Sequence, residues 1–314
     1  MSKRMEMRSI GNLSVSAIGL GCNNFGMTID ADATQTVVDA AIDAGINYFD
    51  TADLYGRGKS EEFLGAALGG RRDKVVIGTK FGHPGALPEG QRGGDPAWIR
   101  QAVDASLSRL NTDRIDHYQL HMPDPDTPQA ETLGALQELV DEGKVLEIGC
   151  SNFSAEQIDE AAGAASETGA GNYSSVQNHY SVLTRSVEDE GVIDACSRTD
   201  MTVVPYFPLE SGLLTGKYSG LTPPEGTRLS MWKGEMRDMF LSEDNLAAVD
   251  RLTDYASSQG HSILELAIGW LVSNPAVATV ICGATKPSQV ASNVAAASWS
   301  MTSDQRSEVA ALAS

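Results

Sequence analysis

Residues 45–56 read GINYFDTADLYG, and this stretch decides the fold expected for the chain. A strand-like apolar run ends at Asp50, and Tyr55 follows five residues later in a polar loop that contains glycine. Two other short apolar runs, VVIGTK and HYQLH, end in Lys80 and His121. In a parallel α/β barrel the carboxyl ends of the strands converge on one face, where that architecture carries its chemistry. We therefore predict that these four titratable side chains meet at one end of a barrel.

Short β-branched runs alternate with longer helical patterns along the whole chain. After a hairpin that turns at Gly11-Asn12, strands are predicted at Ala17–Leu20, Tyr48–Asp50, Val75–Lys80, His117–Leu120, Val145–Cys150, Ser175–Asn178, Thr202–Pro205 and Thr279–Cys282. Start and stop signals predict helices over Ala33–Ala44, capped by Asp32, from Asp95-Pro96 to Leu110 and from Thr127-Pro128 to Asp141. Capping boxes at Ser154 and Ser262 predict two more helix starts, and a terminal helix is expected over Thr302–Ala313.

Eight strands, each followed by a helix, predict an α/β fold of the (β/α)8 TIM barrel type with an N-terminal β-hairpin and extra helices. We expect one domain over residues 1–314, since no inter-domain linker or internal repeat interrupts the pattern. Within it, the Gly-, Pro- and Met-rich segment 209–239 is too long for an ordinary connection and is typical of a loop that covers a ligand. A doubly wound sheet is the structural alternative.

Composition excludes several classes of function. The 314 residues are 41% hydrophobic, which is enough for a substantial core. The 42 Asp and Glu against 23 Lys and Arg give a formal charge of −19, which opposes nucleic acid and anionic membranes. Four scattered cysteines form no CxxC pair, and no run approaches the ~18 apolar residues of a membrane span. We expect a cytoplasmic protein with reduced thiols.

The four strand-end groups suit the reduction of a carbonyl. A lysine beside an aspartate keeps its charge, and we expect the cation to lower the pKa of Tyr55 from its ordinary ~10. Tyr55 could then protonate a carbonyl oxygen while the imidazole N–H of His121 polarises it. No side chain carries hydride, so a nicotinamide cofactor is required. His83, in a Gly-His-Pro-Gly loop, is interpreted as a loop residue.

Other interpretations fit less well. Taken singly, Asp50 could cap a turn, Lys80 could lie at the surface and Tyr55 could be a loop aromatic. These separate explanations do not account for the occurrence of all three residues at strand ends. A metal-dependent hydrolase could use Asp50 with His117 and His121, yet residues four apart on one strand lie ~13 Å from each other at ~3.3 Å per residue. No metal site is therefore predicted. Residues 19–26 form only a broken dinucleotide fingerprint with no helix behind it, which argues against a Rossmann domain.

The ordered motifs resemble the aldo-keto reductase family from the hairpin to about Ala297. They are GINYFDTADLYG, the lysine of VVIGTK, the histidine of LHMPDPDTP, GKVLEIGCSNF, SVQNHY, VPYFPLESGLLTGKY and ICGATKPSQVASN. The resemblance implies a (β/α)8 barrel that binds an extended nicotinamide cofactor. It also implies a catalytic tetrad of Asp50, Tyr55, Lys80 and His121, in which Tyr55 protonates the carbonyl oxygen.

The resemblance implies a cofactor site as well. Ser151, Asn152 and Gln177 would bind the nicotinamide carboxamide, Tyr206 would stack on its ring, and the loop from Phe207 to Lys217 would contact the pyrophosphate. In that loop Leu209, Ser211 and Lys217 are the expected contacts, and Gly283, Thr285, Lys286, Gln289 and Asn293 would hold the adenosine end. The substrate pocket is expected at Asn23, Asn24, Phe25, Trp98 and the long loop with Trp232.

The segment expected to hold the adenosine end differs from the family pattern. Many members have a lysine where this chain has Gly283, an arginine where it has Gln289 and a glutamate where it has Ser292. The absence of this lysine and this arginine should weaken the binding of a 2′-phosphate. We expect NADP(H) as the cofactor, with NAD(H) as the alternative, and reduction of small aldehydes or ketones to alcohols. The alternative is a cofactor-binding regulatory subunit of the same family with little turnover.

Overall fold

A computed structural model describes residues 5–314. Strands β1 (Met7–Ile10) and β2 (Leu13–Ser16) form an antiparallel hairpin. The eight strands of the main sheet are β3 (Ile18–Gly21), β4 (Tyr48–Asp50), β5 (Val76–Phe81), β6 (Ile115–Leu120), β7 (Val145–Ser151), β8 (Ser175–Gln177), β9 (Thr202–Val203) and β10 (Val280–Gly283).

Helices lie between and after these strands. They are α1 (Ala31–Asp43), α2 (Lys59–Leu68), α3 (Pro96–Leu110), α4 (Gln129–Asp141), α5 (Ala155–Thr168), α6 (Ser186–Asp189), α7 (Val192–Arg198), α8 (Arg228–Met231), α9 (Glu235–Asp238), α10 (Glu243–Ser258), α11 (Ile263–Val272), α12 (Pro287–Ala296) and α13 (Ser303–Ala313). Short 3₁₀ helices cover Tyr55–Gly58, Gly69–Lys74 and Glu210–Thr215.

All eight main strands are parallel and follow the order β10-β3-β4-β5-β6-β7-β8-β9. Backbone hydrogen bonds join the two ends of this sheet: the Val203 amide donates to Ala276 O at 2.8 Å, and the Ala278 amide donates to Val203 O at 3.0 Å. The Ile281 amide adds a bond of 3.1 Å to Pro205 O. The sheet thus curls into the predicted (β/α)8 barrel, whose strand ends face one way.

The deep interior of the barrel is filled by large polar side chains. Tyr48 Oη lies 2.9 Å from His117 Nδ1, and Ser175 Oγ lies 3.1 Å from His117 Nε2. Burial lowers the pKa of His117 to about 3, so this ring is neutral. A Cβ on Gly78 or Gly149 would collide with Tyr48 Oη or His117 Nε2 respectively. Glycine at these two strand positions therefore makes room for the two rings.

The hairpin closes the amino-terminal end of the barrel. Ile10 and Val15 are fully buried in one apolar cluster with Tyr48, Val204 and Ile281. Backbone and side-chain nitrogens of Asn12 donate to Glu147 Oε1 at 2.8 and 2.9 Å, which fixes the turn against β7. With Tyr48 and His117 above it, this end of the barrel is filled.

Most predicted element boundaries agree with the structure to within two residues. The hairpin turn at Gly11-Asn12, the capping boxes at Ser154 and Ser262 and the last helix are confirmed. The cap expected at Asp32 is wrong, because Asp30 accepts the Ala33 amide and Asp32 lies inside α1. Segment 209–239 holds one 3₁₀ helix and the short helices α8 and α9.

Candidate active site

Three strand ends and one loop bring the four predicted titratable residues together. Asp50 ends β4, Lys80 lies near the end of β5, His121 directly follows β6, and Tyr55 begins the 3₁₀ helix that leaves β4. Lys80 Nζ donates to Asp50 Oδ2 at 2.7 Å and to Tyr55 Oη at 3.4 Å. The rings of Tyr55 and His121 meet edge to face, with centroids 5.9 Å apart. All four side chains therefore share one site at the carboxyl end of the barrel.

Further polar groups hold the buried ion pair. Gln177 Nε2 donates to Asp50 Oδ1 at 2.9 Å and lies 3.2 Å from Gln119 Oε1, and Lys80 donates to Thr51 O at 2.8 Å. Lys80 is 0% exposed and Asp50 is 3% exposed. Charges removed from water to this degree are stable only when paired and hydrogen-bonded. The ammonium is thus fixed in position relative to the phenol.

Burial and the ion pair act on the Tyr55 phenol in opposite directions. Burial lowers the pKa of Lys80, but Asp50 and Tyr55 outweigh it, so the pKa of this ammonium lies above its ordinary value. Burial raises the pKa of Tyr55 above 10 and exceeds the lowering by Lys80. The expected lowering of the Tyr55 pKa is therefore wrong, because desolvation is the larger effect. Tyr55 is protonated at neutral pH, with a cation 3.4 Å away to stabilise the phenolate when the proton leaves.

His121 presents a neutral imidazole to the site. Burial and then Lys80 lower the pKa of His121 well below 6.5. Its Nδ1 is buried and has no hydrogen-bond partner among residues 5–314, whereas Nε2 keeps accessible surface. An orphaned buried N–H is rarer in proteins than an under-satisfied acceptor, so this pattern assigns the proton to Nε2. His121 can therefore donate one N–H into the site.

The expected nicotinamide-binding residues lie beside the four titratable groups. Tyr206 Oη donates to Asn152 Oδ1 at 2.8 Å, and Asn152 Nδ2 donates to His121 O at 3.0 Å. Ser151 Oγ donates to Gln177 O at 2.7 Å. Asn152 has a φ of 63°, a left-handed conformation that asparagine adopts more readily than most residues. The Tyr206 ring is thus fixed by a hydrogen bond to Asn152, which in turn bonds the backbone of His121 just after β6.

The loop after Tyr206 bends sharply through left-handed backbone. Phe207, Glu210 and Ser211 have φ values of 51°, 46° and 55°, and Gly212 has a φ of 94°. Ser211 Oγ is buried without a hydrogen-bond partner in the part of the chain that the structure describes. Strain and an orphaned hydroxyl in one turn are typical of a ligand-binding loop.

The remaining expected contacts surround this loop. Lys217 Nζ lies 5.2 Å from the ring centre of Tyr218 and packs against Gly212, while Leu209 packs against the core. At the end of β10, Gln289 Oε1 accepts from the Thr285 amide at 2.7 Å and from its hydroxyl at 3.1 Å. Gly283 is exposed, Asn293 is 6% exposed, and Lys286 caps α12.

The expected substrate-pocket residues come from several parts of the chain. A Cβ on Gly283 would lie 3.5 Å from Asn24 Nδ2 and 3.8 Å from Asn23 Oδ1, which places both asparagines near β10. Phe25 is 0% exposed and belongs to the core. The structure thus gives Phe25 no surface to offer to a substrate.

The two expected tryptophans lie on different elements. Trp98 is in the first turn of α3, and Trp232 follows α8 and contacts Phe207 and Phe240 with ring centroids 6.2 and 5.4 Å apart. Trp232 therefore joins the long loop to the turn that follows Tyr206.

Sequence reasoning missed three residues at the site. His179 stacks on Tyr206 with centroids 5.5 Å apart, and Arg228 lies over the rings of Phe207 and Trp232 at 5.7 and 5.5 Å. His83, interpreted from the sequence as a loop residue, lies 4.9 Å from His121 between ring centroids. His179 follows β8 and His83 follows β5, so their strand-end positions were an available signal. Arg228 lies far along the loop and gave none.

Comparison with known proteins agrees with this geometry. A sequence model of the Aldo/keto reductase family matches residues 17–314. The chain belongs to the aldo/keto reductase family. A Bacillus subtilis relative named aldo-keto reductase YhdN is 34% identical over 314 residues, covering 97% of this chain and 92% of that protein. A relative from Oryza sativa subsp. japonica, named probable voltage-gated potassium channel subunit beta, is 34% identical over 299 residues, covering 93% of this chain and 91% of that protein.

A solved structure gives the same result. The holo form of aldo-keto reductase AKR11C1 from Bacillus halodurans is similar with a TM-score of 0.81 and 31% identity, covering 99% of this chain and 97% of that one. As an aldo/keto reductase, this protein is an oxidoreductase that uses NAD(P)H.

Residues 5–314 of this reductase contain neither a candidate membrane span nor a candidate metal site. No helix within residues 5–314 is both long and apolar enough to cross a membrane. The same residues hold no group of three or more His, Cys, Asp or Glu side chains placed to bind a metal ion. The three residues considered for a metal-dependent hydrolase have other contacts. Asp50 binds Lys80, and His117 lies within hydrogen-bond distance of two hydroxyls. The His121 ring meets that of Tyr55 edge to face.

Proposed function

We propose that this protein reduces small aldehydes and ketones to alcohols with NADPH, and that Tyr55 is the general acid. The observation that carries the proposal is the position of Lys80 Nζ, 2.7 Å from Asp50 Oδ2 and 3.4 Å from Tyr55 Oη in a buried site. An ammonium held this way stabilises negative charge on the phenol oxygen only when the proton has left, so it lowers the energy of the transition state more than that of the ground state.

Each of the four residues has a separate role in the proposed reaction. The bound nicotinamide supplies hydride to the carbonyl carbon. Tyr55 Oη donates its proton to the carbonyl oxygen as negative charge develops there. His121 Nε2–H donates a hydrogen bond to the same oxygen and orients the carbonyl. Asp50, fixed by Gln177, keeps Lys80 charged and in place.

The surroundings of Tyr206 fit an extended dinucleotide. Lys217, Arg228 and Lys286 form no ion pair with any carboxylate among residues 5–314. Together with the orphaned Ser211 hydroxyl, they supply donors for phosphate groups.

The cofactor-binding residues inferred from the sequence are proposed with these roles. Ser151, Asn152 and Gln177 would hold the carboxamide, and the Tyr206 ring would carry the nicotinamide. Phe207, Leu209, Ser211 and Lys217 would contact the pyrophosphate, and Gly283, Thr285, Lys286, Gln289 and Asn293 would hold the adenosine end. Lys286 supports NADPH as the preferred cofactor, with NADH as a second cofactor.

Titration of the protein with each dinucleotide tests the cofactor preference. We expect NADPH to bind more tightly than NADH, because only the former offers a 2′-phosphate to Lys286. Fluorescence of the four tryptophans or of the reduced cofactor reports the two dissociation constants. A dissociation constant for NADH at least tenfold below that for NADPH would overturn the preference and leave the proposed reaction untouched.

A panel of small aldehydes, ketones and alcohols, followed by nicotinamide absorbance, tests the reaction. We expect Tyr55→Phe to lower turnover by about 10²-fold or more, since general acid catalysis contributes about 10²–10⁴-fold. Tyr255→Phe is the matched control, because Tyr255 lies on α10 and its hydroxyl donates to Glu308 and not to a residue of the site. Turnover of Tyr55→Phe near the wild-type value on every substrate would refute the assignment of the acid.

A cofactor-binding regulatory subunit remains the second candidate, and the similarity to the Oryza sativa relative named as a channel subunit favours it. The two candidates differ in turnover. A protein that binds NADPH tightly but oxidises it with no carbonyl of the panel would support the regulatory role. Multiple turnovers that depend on Tyr55 would support the reductase.

A further inference from the structure

The loop that follows β5 places a second imidazole at the mouth of the site. The His83 and His121 rings are 4.9 Å apart between centroids, with an angle of 63° between their planes. His83 is partly exposed, whereas His121 is 8% exposed. The second ring therefore lies on the solvent side of the histidine that faces the carbonyl.

The backbone around His83 fixes the position of its side chain. Gly82 has a φ of 80°, and a Cβ there would stand 2.9 Å from Leu120 Cδ1 and 3.0 Å from Gly93 O. Only glycine fits this close approach, which ties the start of the loop to its far end. The Ala86 amide donates to His83 O at 2.8 Å and closes a turn. His83 thus stands on a short, pinned turn.

One ring nitrogen of His83 is occupied and the other is free. The Gly85 amide donates to Nδ1 at 2.9 Å, so Nδ1 is an acceptor and the proton of the neutral ring lies on Nε2. Nε2 has no hydrogen-bond partner within residues 5–314, and it is not enclosed. Burial lowers the pKa of His83 below 6.5, so this neutral form dominates at pH 7.5.

We propose that His83 Nε2–H binds an oxygen on the carbon next to the reacting carbonyl and makes the site selective for 2-oxygenated aldehydes and ketones. The inference rests on the proposed reductase function. With the carbonyl oxygen on Tyr55 and His121, the His83 ring, whose centroid lies 4.9 Å from that of His121, is the proposed partner for an oxygen on the neighbouring carbon. A substrate without that oxygen leaves the His83 N–H without this partner.

The selectivity is measured as the kcat/KM for 2-hydroxypropanal divided by the kcat/KM for propanal. These aldehydes have the same carbon chain, and their hydration in water affects wild type and variants equally. His83→Phe removes both ring nitrogens. We expect it to lower the ratio about fivefold, which corresponds to ~1 kcal/mol, the net value of one hydrogen bond.

Two further variants separate substrate binding from loop ordering. His83→Gln extends an amide N–H to about the position of Nε2 but loses the acceptor for the Gly85 amide. His83→Asn keeps an acceptor near Gly85 but is too short to reach the substrate. We expect the glutamine variant to retain most of the wild-type ratio and the asparagine variant to lose it, like the phenylalanine variant.

The opposite order, with asparagine retaining the ratio and glutamine losing it, would show that His83 acts only through the loop and would overturn the proposal. A ratio that is unchanged in all three variants would also overturn it, while leaving the reductase function standing. A wild-type protein that reduces neither aldehyde nor any other carbonyl would refute the reductase function itself, and this proposal with it.

Discussion

Replacement of Lys80 by methionine should cost more stability than removal of the whole ion pair. Lys80 is 0% exposed and Asp50 is 3% exposed, with 2.7 Å between their charged atoms. Without the ammonium, the carboxylate keeps only the Gln177 amide as a side-chain donor. Breaking a buried pair in this way typically costs about 3–5 kcal/mol, because an uncompensated charge remains. We expect Lys80→Met to lower the free energy of unfolding by that amount.

The double variant Asp50→Asn/Lys80→Met leaves no buried charge, and we expect it to be more stable than Lys80→Met alone. Equilibrium unfolding in guanidinium, followed by circular dichroism and by tryptophan fluorescence, measures both, and coincident curves check the two-state assumption. Lys144→Met is the surface control, since its 3.0 Å pair with Asp104 is exposed and should cost less than about 1 kcal/mol. A loss below ~1 kcal/mol for Lys80→Met, or a double variant less stable than the single one, would refute this reasoning.

Three further predictions concern other residues. We expect Gly78→Ala to lower the free energy of unfolding by about 1–3 kcal/mol through overpacking against Tyr48. Gly134→Ala, in open space on α4, should raise it slightly. Equal effects of the two variants in thermal unfolding would contradict this prediction. Burial and then a nearby glutamate raise the pKa of Asp53 to about 7. The folded protein therefore favours the protonated carboxyl, and the stability contributed by this protonation is full below about pH 4 and is lost as the pH rises through 7. Asp53→Asn should therefore gain more stability over wild type at pH 8 than at pH 5, and a gain independent of pH would count against the assigned titration. Gln289→Arg should raise the preference for NADPH over NADH about tenfold, read from dissociation constants, and an unchanged ratio would remove Gln289 from the phosphate site.

The barrel and the four titratable residues were predictable because they follow from strand ends. Asp50, Lys80 and His121 each close an apolar run, and parallel strands bring such ends together whatever the intervening helices do. The helix start at Asp30 was misplaced because Asp30 and Asp32 are both good cap residues. Only the backbone geometry distinguishes them.

Properties that depend on several distant residues were not predictable. The pKa of Tyr55 depends on the balance of burial against Lys80, and the extent of burial emerges only from the packed structure. The position of Arg228 over Phe207 and Trp232 depends on the path of a long loop that has no periodic pattern. His83 carries a strand-end signal, but its tautomer follows from the turn that brings the Gly85 amide to Nδ1.

The hairpin at the amino-terminal end has a kinetic consequence. Because Ile10, Val15 and the rings of Tyr48 and His117 fill that end, every molecule that reaches Tyr55 must enter and depart by the same opening. Dinucleotide and carbonyl compound would therefore share one route, so that a molecule bound nearer the opening delays the exchange of one bound deeper.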